Sequence, residues 1–359
     1  MTTTQSEGTP DPGWDAFAEE HPQGQFQQSS AWAAAKAPEG WKVRWVQLKE
    51  GERIRAGAQI LHKRTRAGLI GFINKGPLVD ANDPKVRESL IAALVADHRA
   101  SGYVALLVQP PDGADPLVPH LESAGFLRET VARMADATLL VDVSKGWDAA
   151  HAGFRRTTRR EIRQGYERGV RIEEGGPDDV PDFFRLMAST CQRQGARPNP
   201  ANVAVATALV RAFTGAGKSR LWFAVHDGKR VAGGFAIGFG DRVVFWKKGW
   251  DQSGNPMHVN TLITADIIRW SAEKGYRWLD FAMMDRDTAT AMVNGTELPK
   301  DLATRRDFFN LGFGGRGLVM PPCLVRFRNP LVAAGYRLAT WAPIREKTRT
   351  LLARAGLSV

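Results

Sequence analysis

The chain has 359 residues and a formal net charge of +11, which is long for a single core and comfortable for two domains of ordinary size. Its 43% apolar and 24% charged residues exclude a disordered or fibrous class, and no apolar run reaches the roughly eighteen residues a transmembrane helix needs. Two cysteines, Cys191 and Cys323, exclude a disulfide framework and offer no metal-ligand spacing; no metal is expected, and no cofactor. The polar opening MTTTQSEGTPDPGW lacks the basic and apolar regions of a signal peptide, which makes the cytoplasm the expected compartment. A field this basic attracts polyanions or anionic membrane surfaces.

In chain order, residues 1–12 read as a disordered leader and Trp14–Glu20 as a first helix. Gln25–Lys36 is a second helical stretch, with Ser29 or Ser30 as N-cap. Trp41–Lys49 alternates as a half-buried strand does. A hairpin follows, then a helix over Pro84–Ala100, a strand over Val104–Val108, a short helix over Leu117–Ala124 and a strand over Ala137–Val143. These make a first mixed sheet flanked by helices. His151–Arg168 reads as one basic helix closed by Gly169. Val170–Glu173 is a strand; Val180–Arg193 and Pro200–Gly215 are helices. Strands over Leu221–His226 and Arg230–Phe239 join through the Asp227-Gly228 turn. A strand, a broad-faced helix and the strand Leu279–Phe281 come next, then a polar loop, Asp285–Asp301, that reads as a lid or as irregular connection. The last section holds a strand, Leu324–Phe327, and a basic amphipathic helix from Leu331 onward, expected to pack back on the first domain or to lie against a membrane.

Much of this order occurs twice. Phe72, Lys75, Gly76, Gly102, Tyr103 and Leu106 recur as Phe245, Lys248, Gly249, Gly275, Tyr276 and Leu279, each pair 173 positions apart. A constant offset of this kind is the mark of internal duplication. The expected domains are 1–147, completed by 318–359, and 148–317. The expected class is α/β (α+β), each domain a mixed, mostly antiparallel sheet flanked by helices.

No nucleophile elbow, P-loop, HExxH or dinucleotide fingerprint appears, and NLGFGGRG lacks the strand-turn-helix context of a phosphate cradle. The candidates are side-chain clusters. Trp32 and Lys36 share a helical face, where the ring holds the ammonium or the lysine is simply solvated. Arg159, Arg160 and Arg163 lie on adjacent turns of one helix, suited to phosphate contacts or to a solvated basic face. Thr190 and Arg193 sit one turn apart, where a guanidinium fork holds a carboxylate or diphosphate. Lys247 and Lys248 end a strand, so one of them faces inward, at a cost unless it meets an anion. Asp280 ends a buried strand as a base or, more simply, as a structural acceptor. Arg305, Arg306, Phe309 and Asn310 follow the polar loop.

Taken in order, QSSAWAAAK, GFINKGPL, RRTTRREIRQGYERGV, the Thr190 and Arg193 pair, GYRWLDF and FFNLGFGG resemble the sequential landmarks of Fem-type peptidoglycan aminoacyltransferases, over roughly Trp14 to Gly315. The resemblance implies two GNAT-like domains in tandem and transfer of an amino acid from aminoacyl-tRNA to an amine of a cell-wall precursor peptide, lipid II or UDP-MurNAc-pentapeptide. It implies Lys36 near the precursor's diphosphate, Thr190 and Arg193 in the substrate cleft, and Phe309 near the tRNA acceptor end. Two departures stand out: Asn310 occupies the place of the family's lysine, and Gln109 that of an aspartate before Pro110. The long coiled-coil arm of some members is missing.

An aminoacyl ester is already activated, so the chemistry asks for positioning, an oxyanion donor and proton removal. Asn310 can donate to a developing oxyanion but supplies no charge, and Arg305 or Arg306 is the expected substitute. The implied partners are aminoacyl-tRNA and the precursor, with peripheral contact at the inner membrane surface left open. Three readings stay beside this one: an acyl-CoA-dependent N-acyltransferase, a tRNA-dependent amide ligase of secondary metabolism, and a non-catalytic nucleic-acid-binding protein.

Overall fold

The computed structural model describes residues 1–80, 82–130, 134–215, 217–252 and 257–339. The chain forms two compact units, Met1–Ala135 with the chain from Met320 onward, and Asp136–Val319. Each is a mixed sheet with helices, two GNAT-like domains in tandem.

The first unit runs β1 (Thr2–Glu7), α1 (Trp14–Glu20), α2 (Ser30–Lys36), β2 (Lys42–Glu50), β3 (Arg53–Thr65), β4 (Gly68–Asn74), β5 (Leu78–Val79), α3 (Pro84–Ser101), β6 (Ala105–Gln109), α4 (Val118–Ser123) and β7 (Leu127–Arg128). Its sheet is ordered β1-β2-β3-β4-β6, then Leu324–Phe327, then β7. Among the described residues only β4 and β6 run parallel, and a parallel pair needs a crossover, which α3 supplies. Asp83 caps α3 by accepting from Val86 N at 3.1 Å, Pro84 opens it, and Gly102 closes it at φ +75°. The helix buries Val86, Leu90, Ile91 and Leu94 in the unit's main core.

The start of the chain differs from expectation. Thr2–Glu7 is an edge strand paired with β2 from Thr2↔Lys49 to Glu7↔Arg44. Its β-branched threonines favour an extended backbone, and Thr4 and Ser6 alternate half-buried against their exposed neighbours. Low hydrophobicity gave the appearance of disorder.

The second unit runs β8 (Ala137–Asp142), α5 (Trp147–Ala152), α6 (Arg156–Glu167), β9 (Arg171–Gly175), α7 (Val180–Arg193), α8 (Val203–Thr214), β10 (Ser219–His226), β11 (Lys229–Phe239), β12 (Arg242–Trp250), α9 (Val259–Glu273), β13 (Trp278–Asp280), α10 (Arg286–Asn294), α11 (Arg306–Asn310) and β14 (Arg316–Val319). Its sheet is ordered β14-β8-β13-β12-β11-β10-β9, and β12 with β13 is the parallel pair. The expected boundary at 147/148 therefore moves to 135/136. Ala137–Asp142 does not complete the first sheet, because its partners on both sides, β13 and β14, are in the second.

Two further expectations change. His151–Arg168 is two helices rather than one, broken at Gly153, because Phe154 turns into the core at 3% exposure. Arg159 then donates to the freed carbonyls of Ala152 and Phe154 at 2.9 and 2.7 Å. The polar stretch from Asp285 contains α10, which buries Thr288, Ala289 and Ala291 and ends at Gly295 with φ +65°. Small residues seat it: a Cβ on Gly317 of β14 would lie 3.0 Å from the Ala289 backbone. Small and β-branched residues leave little apolar period, which hid the helix. At the other end Pro330–Ala339 is helical as expected, while 340–359 lies outside the described residues.

The duplicated landmarks occupy matching places. Phe72 and Phe245 are buried on the strands that precede each crossover, and Gly102 and Gly275 end each helix at φ +75° and +78°. The registers differ by one residue: Ile70 pairs with Ala105, whereas its counterpart Val243 pairs with Leu279.

Lys75 is buried at 7% side-chain exposure against Asp112 at 6%, with 2.6 Å between Nζ and Oδ1. Removing one member of such a pair strands the other charge. Asp112→Ala should destabilise the protein by about 3–5 kcal/mol, and Lys75→Met with Asp112→Ala together should recover most of it. Chemical denaturation of the three variants checks this.

Candidate functional site

The second unit gathers several of the expected residues around the end of β12. A bulge on β12, opposite Phe235 and Ala236 of β11, pairs Lys247 with Phe235 and Phe245 with Ala236, which leaves Trp246 as the extra residue. An extra residue shifts the alternation of side chains beyond it. Lys247 accordingly lies over Trp246, its Nζ 4.7 Å from the ring centroid. Lys248 comes to the Phe245 side instead, its Nζ 5.8 Å from Phe245 and 4.4 Å from Phe309. Among the described residues Lys248 has no hydrogen bond and no ion pair. Burial, and next the nearby Arg306, push its ammonium down to about 8.

Thr190 and Arg193 anchor the end of α7 to the same strand. Thr190 Oγ1 accepts from Trp250 N at 3.0 Å. Arg193 donates to Trp250 O at 2.7 Å and to Ser189 Oγ at 2.8 Å, and its guanidinium lies 4.6 Å from the Trp250 ring centroid. No carboxylate competes for it among the described ion pairs. Gly249 lets the helix come this close: a Cβ there would lie 2.2 Å from Met187 N. Trp250 was missed as a platform for Arg193; the signal was present in the aromatic that closes FWKKGW.

The α11 segment and the residue before it carry the other candidates, and bring Phe309 to Lys248. Phe309, under the ammonium, packs edge-on to the buried Phe313 at 5.5 Å. Asn310 is buried at 3% exposure, and its Oδ1 has no hydrogen-bond partner among the described residues. Arg306 is exposed and reaches Met283 Sδ at 3.3 Å. Arg305 is engaged elsewhere: it bridges Asp287 at 2.6 Å, Asp301 at 2.8 Å and Asp285 at 3.7 Å. It holds the start of α10 to the turn before α11, which leaves Arg306 as the freer of the two. Asp280 is a structural acceptor, taking bonds from Thr138 at 2.5 Å, Ala282 N at 2.7 Å and Arg242 at 3.0 Å.

The basic helix α6 is fixed by its small face: Gly165 sits where a Cβ would lie 2.9 Å from Met257 O. Of its three candidate arginines, Arg159 is committed to the carbonyls before the helix. Arg160 and Arg163 face solvent, Arg163 tied only at 3.6 Å to an equally exposed Glu167. Sequence reasoning missed Arg155, whose guanidinium lies 4.6 Å from the centroid of the exposed Phe308. In the first unit, Lys36 lies 5.2 Å over the buried Trp32 ring, as the helical spacing suggested. It also bonds both oxygens of Glu39, at 2.7 and 2.8 Å. No group of histidine, cysteine and acidic residues fit to hold a metal occurs among the described residues. No described helix is long and apolar enough to cross a membrane.

Residues 10–118 match the FemAB family and residues 152–288 the acetyltransferase (GNAT) domain. The chain is 27% identical over 198 residues to the lipid II:glycine glycyltransferase of Staphylococcus saprophyticus, covering 52% of this chain and 48% of that one. It is 24% identical over 193 residues to its namesake in Staphylococcus aureus, covering 50% and 46%. The chain spans about half the length of the curated relatives it matches. In fold it is similar to the crystal structure of FemX, with a TM-score of 0.80 at 15% identity over 95% of this chain and 100% of that one. A tandem GNAT protein from the clavulanic acid biosynthesis pathway gives 0.52 at 10%, over 92% and 99%. The FemAB match and the glycyltransferase relatives lie in the direction of the Fem-type resemblance, and the solved structures show the tandem fold.

Gly249→Ala should displace α7, because the obstacle is backbone rather than a movable side chain. The expected loss is on the order of 3 kcal/mol, with quenching of tryptophan fluorescence changed as Arg193 leaves Trp250. Thermal denaturation and emission spectra of the variant check both.

Proposed function

We propose, on this Fem-type relationship, that the chain is an aminoacyltransferase moving an amino acid from aminoacyl-tRNA to an amine of a peptidoglycan precursor peptide, to build the interpeptide bridge. The observation that carries the reading is the FemAB match together with relatives named for glycyl transfer to lipid II. Lipid II is accordingly the first acceptor to try, on the cytoplasmic side of the membrane.

In this reading Lys36, steadied by Trp32, lies near the diphosphate of the precursor, where a phosphate oxygen competes with Glu39 for the ammonium. Thr190 and Arg193 shape the cleft at the end of β12, with Lys247 and Lys248 beside it. Phe309 and Asn310 receive the acceptor end of the tRNA, and the Asn310 amide donates to the oxyanion as the tetrahedral intermediate forms. Arg306 adds a positive field; Arg305 keeps the segment in place. The ester is reactive already, so holding the two substrates together supplies much of the rate.

The donor is reached through charge. Arg160 and Arg163 project from α6 into solvent, and a chain carrying +11 draws a polyanion with steep dependence on salt. Arg159, turned onto its own carbonyls, contributes by shaping the helix entry.

Incubation of the purified protein with charged, labelled tRNA and lipid II, beside acetyl-CoA with the same acceptor, tests the reading. Label in the lipid fraction supports it; acetylation alone would replace it with acyl-CoA chemistry. Replacing Arg160 and Arg163 by alanine should weaken tRNA binding and make the plot of log affinity against log salt shallower by about two, one for each lost phosphate contact. An unchanged slope in filter binding would remove α6 from the tRNA surface.

A further inference from the structure

The duplication supplies an internal comparison at Lys75 and Lys248, which stand at the same place in the two copies. In the first copy the chain leaves the sheet after Asn74 with Lys75 in the left-handed region, φ +56°. That turn carries the ammonium to Asp112, and its charge is countered at 2.6 Å. In the second copy the strand continues to Trp250, and the bulge carries Lys248 onto the aromatic side of the sheet. There its Nζ lies 4.4 Å from the Phe309 ring and 5.8 Å from that of Phe245, with no carboxylate joined to it among the described residues.

A half-buried ammonium without a counter-ion costs stability, and an aromatic face offsets only part of that. The structure uses an easy remedy at Lys75 and leaves it out at Lys248. The charged groups on the neighbouring elements are cationic or already engaged. Arg306 on α11 is cationic. Asp280 on β13 is joined to Arg242, and Arg193 on α7 is folded onto Trp250. The strand neighbour Lys247 lies on the Trp246 ring. Asn310, next to Phe309 on α11, is buried and its Oδ1 accepts no hydrogen bond among the described residues.

We propose that Lys248 is the group that takes up the proton of the attacking amine during acyl transfer, a role that rests on the acyl transfer inferred above. The amine nitrogen bonds to the ester carbonyl carbon and the bond from that carbon to the ribose oxygen of the tRNA breaks. The proton released from nitrogen passes to Nζ and then to the departing ribose oxygen, so the lysine ends as it began. Its value of about 8 leaves a share of the side chain neutral near pH 7.5 and able to accept.

Single-turnover transfer from charged tRNA to lipid II, followed from pH 6 to 9.5 by wild type, Lys248→Met and Lys248→Arg, tests the role. Wild-type rate should rise through about 8. Lys248→Met should lose on the order of 100-fold in rate with little change in KM. Lys248→Arg should be equally slow, because a guanidinium keeps its proton throughout this range. If arginine restores the rate, or the rise persists in either variant, the titrating group is the substrate amine and the proposal is overturned. Labelling with an amine-reactive reagent, read by mass spectrometry, needs no turnover: Lys248 should become reactive around pH 8 while Lys75 stays protected. Labelling of Lys248 only near the ordinary lysine value overturns the proposal. A wild type that transfers nothing to lipid II overturns the substrate assignment and leaves the labelling result to stand by itself.

Stability gives a readout with a definite sign. The folded value of Lys248 is below its unfolded value, so the cost of the buried cation is fully present below about pH 8 and is relieved as pH rises toward the ordinary lysine value. Lys248→Met should therefore melt higher than wild type at pH 7, and the gap should close toward pH 10. A lower melting temperature at pH 7 would make Lys248 a structural residue and sink the proposal.

Discussion

A parallel pair of strands inside an otherwise antiparallel sheet is the constraint on which each unit depends. Such a pair cannot be joined by a tight turn, so α3 bridges β4 to β6 and α9 bridges β12 to β13. Each bridging helix must start beyond the end of its first strand and finish with a left-handed residue, which is why glycine stands at 102 and 275. Near the departing end of β4 and β12 the parallel ladder has run out: β4 ends at Asn74, and β12 goes on past Val244 paired only with β11. Long polar side chains can be tolerated there, because the ladder no longer fixes the environment on both sides.

What each unit does with that position depends on small backbone differences. A single left-handed residue at Lys75 aims the side chain into a closed ion pair, and one extra residue in β12 aims Lys248 at two aromatic rings. The glycine that follows has a packing purpose in both copies: a Cβ on Gly76 would meet the Gln28 side chain at 2.8 Å, and one on Gly249 the backbone of α7 at 2.2 Å. A shared constraint preserved the sequence, and the surroundings gave the two lysines different chemical lives.

Much of this was legible from the sequence. Strand alternation located β2, the Asp227-Gly228 turn located the hairpin of β10 and β11, and the cap residues located α2. Val180–Arg193 is a helix with the same ends as read. The constant spacing of the repeat gave two like domains. The spacing of Trp32 and Lys36 gave a cation over a ring. Three things were hidden, for stated physical causes. A polar edge strand such as Thr2–Glu7 has the composition of a disordered segment. The strand Ala137–Asp142 is buried on both faces, so its pattern names no sheet. The partners of Arg305 and Arg159 depend on where loops return, which side-chain type alone does not say. The bulge in β12, which decides which of two adjacent lysines meets Phe309, leaves no local mark in FWKKGW.

The strand Leu324–Phe327 lies between β6 and β7, pairing with both, yet it is separated from them in the chain by the whole second unit. During synthesis the first domain therefore emerges with a gap in its sheet, and β6 presents an unfilled edge until nearly the last of the described residues has left the ribosome. The half made first is finished last. A chain released after residue 319 would hold one complete domain and one open template, an edge at which misassembly starts.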